Sequence, residues 1–263
     1  PAAYWGVHTA RAIENFPITG HSVAQMPELI RALALVKKAA AHANVQLGAI
    51  HASQGDAIAK ACDDLIAGKL HTEFVVDVIQ GGAGTSTNMN ANEVIANLAL
   101  EHLGLAKGRY DVIDPNDHVN ASQSTNDVYP TALKLATWFG AQKLLTALAS
   151  LRGAFEAKAR EFDRVLKIGR TQLQDAVPMT LGQEFASFVS MIADDEKRLR
   201  DSLFLMTEVN LGGTAIGTGI NAPVGYVDLV IPELTRLSCV PVTTASDTIA
   251  ATADTGEFVD SSV

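Results

Sequence analysis

The chain has 263 residues, 48% of them hydrophobic and 6% aromatic, which is enough apolar material for a substantial core and does not fit a disordered protein. Twenty Lys and Arg against 29 Asp and Glu leave a formal charge of −9, so neither nucleic acid nor an anionic membrane is an expected partner. Cys62 and Cys239 can form neither a disulfide framework nor a multi-thiolate zinc site, the stretch Pro1 to His8 lacks a leader pattern, and no apolar run approaches the roughly 18 residues of a membrane span; a cytoplasmic location is the expectation.

Ala and Leu fill long segments with few β-branched runs, so the predicted fold class is mainly α. The first predicted element is a long helix that starts at Pro27, in an N1-like position, and buries one face carrying Ile30, Leu33, Val36, Ala40, Ala43 and Leu47. Next comes a polar run from Gly81 to Asn90, leading into an apolar helix expected over Val94 to Leu103. A second polar run, Asp114 to Asp127, precedes a helix entered near Pro130, whose stripe is Leu144, Leu148, Leu151, Phe155 and Phe162. A third, Lys167 to Thr180, reads as a polar turn between two long helices. The last predicted helix runs from Gln183 past Met206 on Phe185, Phe188, Ile192, Leu199, Leu203 and Met206, with Thr180 and Gln183 forming a T-x-x-Q capping pattern. There is no repeat, linker or low-complexity tract. The one boundary expected lies near Pro130, giving domains 1–129 and 130–263, and narrow apolar seams on long helices imply an oligomer.

The three polar runs are where chemistry can reside. Glycines let backbone approach a ligand, and free amides at a following helix start favour negative charge. In the first run Thr85 and its neighbours crowd after three glycines, although a cap needs only one such side chain. In the second, Ser124, Thr125 and Asn126 offer neutral donors before a helix, suited to holding a carboxylate without a metal. His118 alone reads as a structural histidine, since no Ser-His-Asp order or metal spacing accompanies it. In the third, Arg170 and side-chain amides either complete an anion pocket or form an ordinary inter-helix loop. The residues support a small anionic ligand and name no reaction.

Taken together, these runs resemble the three signature regions of the aspartase/fumarase superfamily. The resemblance extends through Tyr4-Trp5-Gly6-Val7-His8-Thr9 to Phe16, the Gly-Thr-Ser-Thr-Asn-Met-Asn run, Ser124-Thr125-Asn126-Asp127, Gly169 to Ala176, and Leu211 to Asn221, which is almost the whole chain. Fumarases typically carry Ala-Gln-Thr where this chain has Val7-His8-Thr9, and His where it has Gln172; both differences point to the aspartase branch, the first more strongly because some aspartases also carry that His. The resemblance implies a truncated form of the superfamily fold, with an N-terminal lyase domain over 1–129 and the first part of the central helical bundle over 130–263. It also implies a homotetramer with active sites shared among three subunits, and reversible deamination of L-aspartate to fumarate and ammonia. No cofactor is required, and a divalent cation such as magnesium is allowed as a modulator. Carried over residue by residue, Thr85, Ser124, Thr125, Asn126 and Thr171 would bind substrate, and Gln172 would take the place of the fumarase histidine.

The superfamily's catalytic base is a serine on a loop written Gly-Ser-Ser-x-Met-Pro-x-Lys-x-Asn, which is absent from this sequence. Ser261 and Ser262 lack its flanking Gly, Pro and Lys, so no catalytic residue is assigned within the chain. The expectation is a fragment of a longer enzyme, inactive by itself; fumarate hydratase and a non-catalytic scaffold are the alternatives.

Overall fold

A computed structural model of the chain describes residues 3–82 and 84–253. Among these the fold is mainly helical, as the composition implies. The elements in order are α1 (Val7–Asn15), α2 (Pro27–Gln46), α3 (Ala52–Ile66), α4 (Thr85–His102), α5 (Thr125–Glu161), β1 (Leu166–Thr171), β2 (Gln174–Thr180), α6 (Leu181–Leu203), β3 (Glu208–Val209), α7 (Tyr226–Ser238) and β4 (Thr243–Thr244). A five-residue wide turn, Pro115–Val119, lies between α4 and α5. Ser261 and Ser262 lie outside the described residues.

The chain divides into two compact units, one of residues 1–137 with 206–263 and one of residues 138–205. In the first, α2 is the central element and packs against α3, α4 and α7. Pro27 does stand at its first turn, but the helix is buried nearly all round rather than on one stripe, from Leu29 to Asn44. Its alanines explain this: Ala32, Ala34, Ala39, Ala40 and Ala41 present so little side chain that neighbouring helices close on every face. Leu47, the last member of the expected stripe, lies just past the helix end.

The second unit holds the later part of α5, an antiparallel hairpin and α6. Thr180 Oγ1 accepts from the Gln183 N–H at 3.1 Å while Gln183 Oε1 accepts from the Thr180 N–H at 3.0 Å, so the expected capping box is formed. Phe155 of α5 and Phe162, just past its end, meet Phe185 of α6 at ring centroid distances of 5.8 and 5.7 Å. Little of α6 is buried, only Gly182, Glu196 and Leu203. Arg152 Nε donates to Glu196 Oε1 at 3.0 Å, which satisfies the buried carboxylate.

Three expectations change. The run Gly81 to Asn90 is not all loop: α4 begins at Thr85, nine residues ahead of Val94. The helix expected from Pro130 begins at Thr125, and Pro130 lies inside it, so the 129/130 division falls within α5. Lys167 to Thr180 is a two-stranded hairpin with Thr171 opposite Gln174 and Arg170 opposite Asp175. Its turn residues Gln172 and Leu173 both take left-handed φ, 49° and 63°, the sign that a two-residue hairpin turn needs to match strand twist. Asn-Gly is the sequence signal for such a turn, and Gln-Leu carries none of it.

Candidate active site

Two polar interruptions of the buried face of α2 organise the site from beneath. Lys37 and Asn44 lie seven residues apart within the apolar stripe, and both are 0% exposed. A buried polar group left unpaired costs about 1–3 kcal/mol, and both find partners in the loop ahead of α5. Lys37 Nζ donates to Asn120 Oδ1 at 2.7 Å. Asn44 Nδ2 donates to the Ala121 carbonyl at 2.9 Å, and its Oδ1 accepts from the Ser122 hydroxyl at 2.6 Å. These bonds hold Ser122 at a φ of 62°, a region that non-glycine residues rarely enter.

The start of α5 is fastened by one carboxylate. Asp127, 0% exposed, accepts from the backbone N–H groups of Ser124 at 3.0 Å, Gly212 at 3.1 Å and Thr214 at 2.9 Å. It thereby closes the first turn of α5 and draws the segment from Leu211 over it. Gly212 takes φ of 92°, and a Cβ there would lie 2.5 Å from Val227 Cγ2, so a side chain at 212 would push the N–H away from Asp127. Asn126 Nδ2 donates to the Ala215 carbonyl at 2.8 Å, and the Ser124 hydroxyl accepts from the Asn126 N–H at 3.2 Å. Pro130 has no N–H for the carbonyl four residues before it. Asn210 Nδ2 supplies the missing donor to the Asn126 carbonyl at 3.0 Å, which is how a proline fits into this helix.

The start of α4 meets α5. Gly84, at φ of 85°, has room for no side chain, because a Cβ would come within 2.2 Å of the Tyr129 ring. Thr85 opens α4 and is exposed. One turn on, Asn88 is 1% exposed, and its Nδ2 donates to Thr125 Oγ1 at 3.0 Å. Thr85, Ser124, Thr125 and Asn126 thus belong to adjoining helix starts in the first unit. Thr171 and Gln172 belong to the second unit, exposed at the hairpin tip.

His118, read from the sequence as a structural histidine, accepts at Nδ1 from the Asp114 N–H at 2.8 Å. Arg170 pairs with Asp175 at 3.2 Å, the ordinary loop pairing of the two that the sequence allows. The opening motif is anchored by Glu93 of α4, which accepts from the N–H groups of Gly6 at 2.8 Å, His8 at 2.8 Å and Thr9 at 3.1 Å. A cleft of about 610 Å³ lies beside the loop ahead of α5, lined by Asn116, Asp117, Asn120, Ser122, Gln123 and Asn221 among others.

Sequence reasoning did not select Lys37, Asn44, Asn88, Asn120 or the anchoring role of Asp127. A signal for two of them was present, since Lys37 and Asn44 break an apolar stripe at helical spacing. Burial lowers Lys37 to about 7 and raises Asp127 to about 6, the latter against the pull of its backbone donors and of Lys37. Between pH 7 and 10 the unfolded chain keeps a proton on Lys37 that the folded chain has released, so this group makes stability rise with pH across that window. Replacing Lys37 with Met should flatten the rise of the thermal midpoint from pH 7 to 10. Equal slopes for the two proteins would contradict the placement of this charge.

Residues 2–263 match the Lyase family, and the chain belongs to it. It is 56% identical to aspartate ammonia-lyase of Pseudomonas aeruginosa, over 98% of this chain and 54% of that protein. A crystal structure of fumarate lyase:delta crystallin from Brucella melitensis bound to cobalt superposes with a TM-score of 0.95 at 55% identity, over 98% of this chain and 56% of that one. A recombinant class II fumarase from Schistosoma mansoni gives a TM-score of 0.88 at 36% identity, over 95% of this chain and 56% of that one. The chain therefore spans about half the length of the relatives it matches.

Proposed function

We propose that the whole protein catalyses reversible deamination of L-aspartate to fumarate and ammonia. The observation that carries this reading is the junction of α4 and α5 at the Asn88–Thr125 hydrogen bond, 3.0 Å, which sets the small donors of two polar runs side by side. In the elimination a base takes a proton from the carbon beside one carboxylate, that carbon's electron pair forms the double bond, and the C–N bond breaks to release ammonia. Charge that builds on the carboxylate before ammonia leaves is stabilised by fixed donors, and a hydroxyl oriented by a buried partner, as Thr125 is by Asn88, needs no reorganisation to serve. Thr85, Ser124, Thr125 and Asn126 take this work. Thr171 and Gln172 supply the remaining contacts from the hairpin of a neighbouring subunit in a homotetramer. No base is assigned among the residues of this chain.

The higher identity to an aspartate ammonia-lyase, 56% against 36% for a fumarase, supports deamination over hydration. The protein acts in the cytoplasm, and no helix among the described residues is long and apolar enough to cross a membrane. It needs no cofactor, with magnesium only a modulator. The test is ultraviolet detection of fumarate made by full-length protein from L-aspartate, before and after dialysis against a chelator. Turnover should survive dialysis and change no more than several-fold when magnesium is restored. Conversion of fumarate to malate with no action on aspartate would select the fumarase reading instead.

A further inference from the structure

We infer that Asn88 is a positioning residue that sets the direction of the Thr125 hydroxyl, so that its proton is offered outward to an anionic ligand. The inference rests on the reading of Thr125 as a carboxylate donor.

The argument begins at Lys37. Lys37, 0% exposed, points an Nζ–H donor at Asn120 from 2.7 Å, and Asn120 presents its oxygen there. The other end of the same amide agrees, because Asn120 Nδ2 donates to the Gln123 carbonyl at 3.3 Å. The same Asn120 oxygen faces Asn88 at 3.2 Å and Asn92 at 3.3 Å, and both must therefore turn their amino groups toward it. Reversing Asn88 would set two amide oxygens face to face in a buried place. With its amino group fixed, Asn88 directs the other N–H to Thr125 Oγ1 at 3.0 Å. The hydroxyl oxygen is then an acceptor on its inner side, and its single proton is left for a partner elsewhere. Asn88 Oδ1 stays buried with no hydrogen bond among the described residues, a cost the fold accepts to keep this orientation. A buried lysine on α2 is in this way linked through two asparagines to the donor sense of a hydroxyl on α5.

A double-mutant cycle in the full-length protein tests the inference, with succinate as a non-reacting dicarboxylate probe and calorimetry as the readout. Thr125→Val should weaken succinate about 10-fold or more, the scale of one hydrogen bond to a charged group. Asn88→Ala and the near-isosteric Asn88→Leu should each weaken it about 3- to 10-fold with Thr125 present, because a freed hydroxyl no longer favours the outward rotamer. In the Thr125→Val background neither should weaken it further. Equal weakening in both backgrounds would overturn the inference and make Asn88 merely structural. Should Asn88→Leu lose its cooperative melt, the Asn88→Ala cycle decides by the same criterion. A wild-type protein that binds no succinate would overturn the carboxylate reading of Thr125 and this inference with it, whereas additive effects in a protein that does bind succinate overturn the inference alone.

Discussion

Asn126→Ala in the full-length protein should lower kcat/KM for L-aspartate by at least about 10²-fold, the scale on which removal of one fixed donor to developing charge acts. Stability should hardly change. Among the described residues the side chain makes one hydrogen bond, Nδ2 to the Ala215 carbonyl at 2.8 Å, in an exposed setting. Such a bond contributes about 0.5–1.5 kcal/mol, and roughly 2–4 °C of thermal midpoint accompanies each kcal/mol in a protein of this size. The bonds that shape the first turn of α5 come from the backbone of Asn126 and survive the substitution: its N–H to the Ser124 hydroxyl, and its carbonyl from Asn210. The two effects are therefore separable by measuring kcat/KM and the thermal midpoint on the same preparation. Asn126→Asp, which keeps the shape but replaces the donor with a charge that repels a carboxylate, should lose at least as much activity as Asn126→Ala. An activity loss that only tracks a large fall in midpoint would mean that Asn126 holds the fold and not the substrate.

Asp127→Ala should have the largest effect on folding of any substitution near this site. Its carboxylate is the acceptor for three backbone N–H groups, and the amides of Gly212 and Thr214 lie in buried surroundings. Each donor stranded without a partner costs about 1–3 kcal/mol, so a loss on the order of 3–5 kcal/mol follows even with partial relaxation. That is a large share of the total stability of a typical domain. Asp127→Asn keeps one acceptor oxygen in the same shape and should fall between wild type and Asp127→Ala in denaturant midpoint. The pH dependence gives an independent check. Burial raises Asp127 from 3.8 to about 6, so the folded chain holds a proton between pH 4 and 6 that the unfolded chain has released. In that window this group makes stability fall as pH rises. Asp127→Asn should remove that part of the slope, and a slope unchanged by the substitution would mean the carboxyl titrates at its ordinary value.

Local rules carried far in this chain. Pro27 marks the start of α2 because a missing N–H costs nothing in a first turn, and the Thr180–Gln183 box marks the start of α6 because its two bonds involve residues three apart. The helical class and the crowding of small donors around Thr85 and Ser124 to Asn126 were also legible, since both depend on which residues are neighbours in the chain. What the linear order could not show is which of those donors has its hydrogen bonds already taken. Asn88 meets Thr125 across 37 positions, Lys37 meets Asn120 across 83, and Asp127 meets Thr214 across 87. No propensity or capping rule reaches over such separations, because these bonds exist only once α2, α4 and α5 have packed. The same packing decides that the Asn126 carbonyl still receives a donor despite Pro130, from Asn210, 84 positions away. The hairpin at Gln172 escapes local reading for a different reason: its turn takes left-handed backbone at two residues whose side chains do not favour it, so strand pairing imposes the conformation. Composition and spacing select the chemical groups proposed to face an anionic ligand, and tertiary contacts between distant helices determine the orientation in which each group is presented.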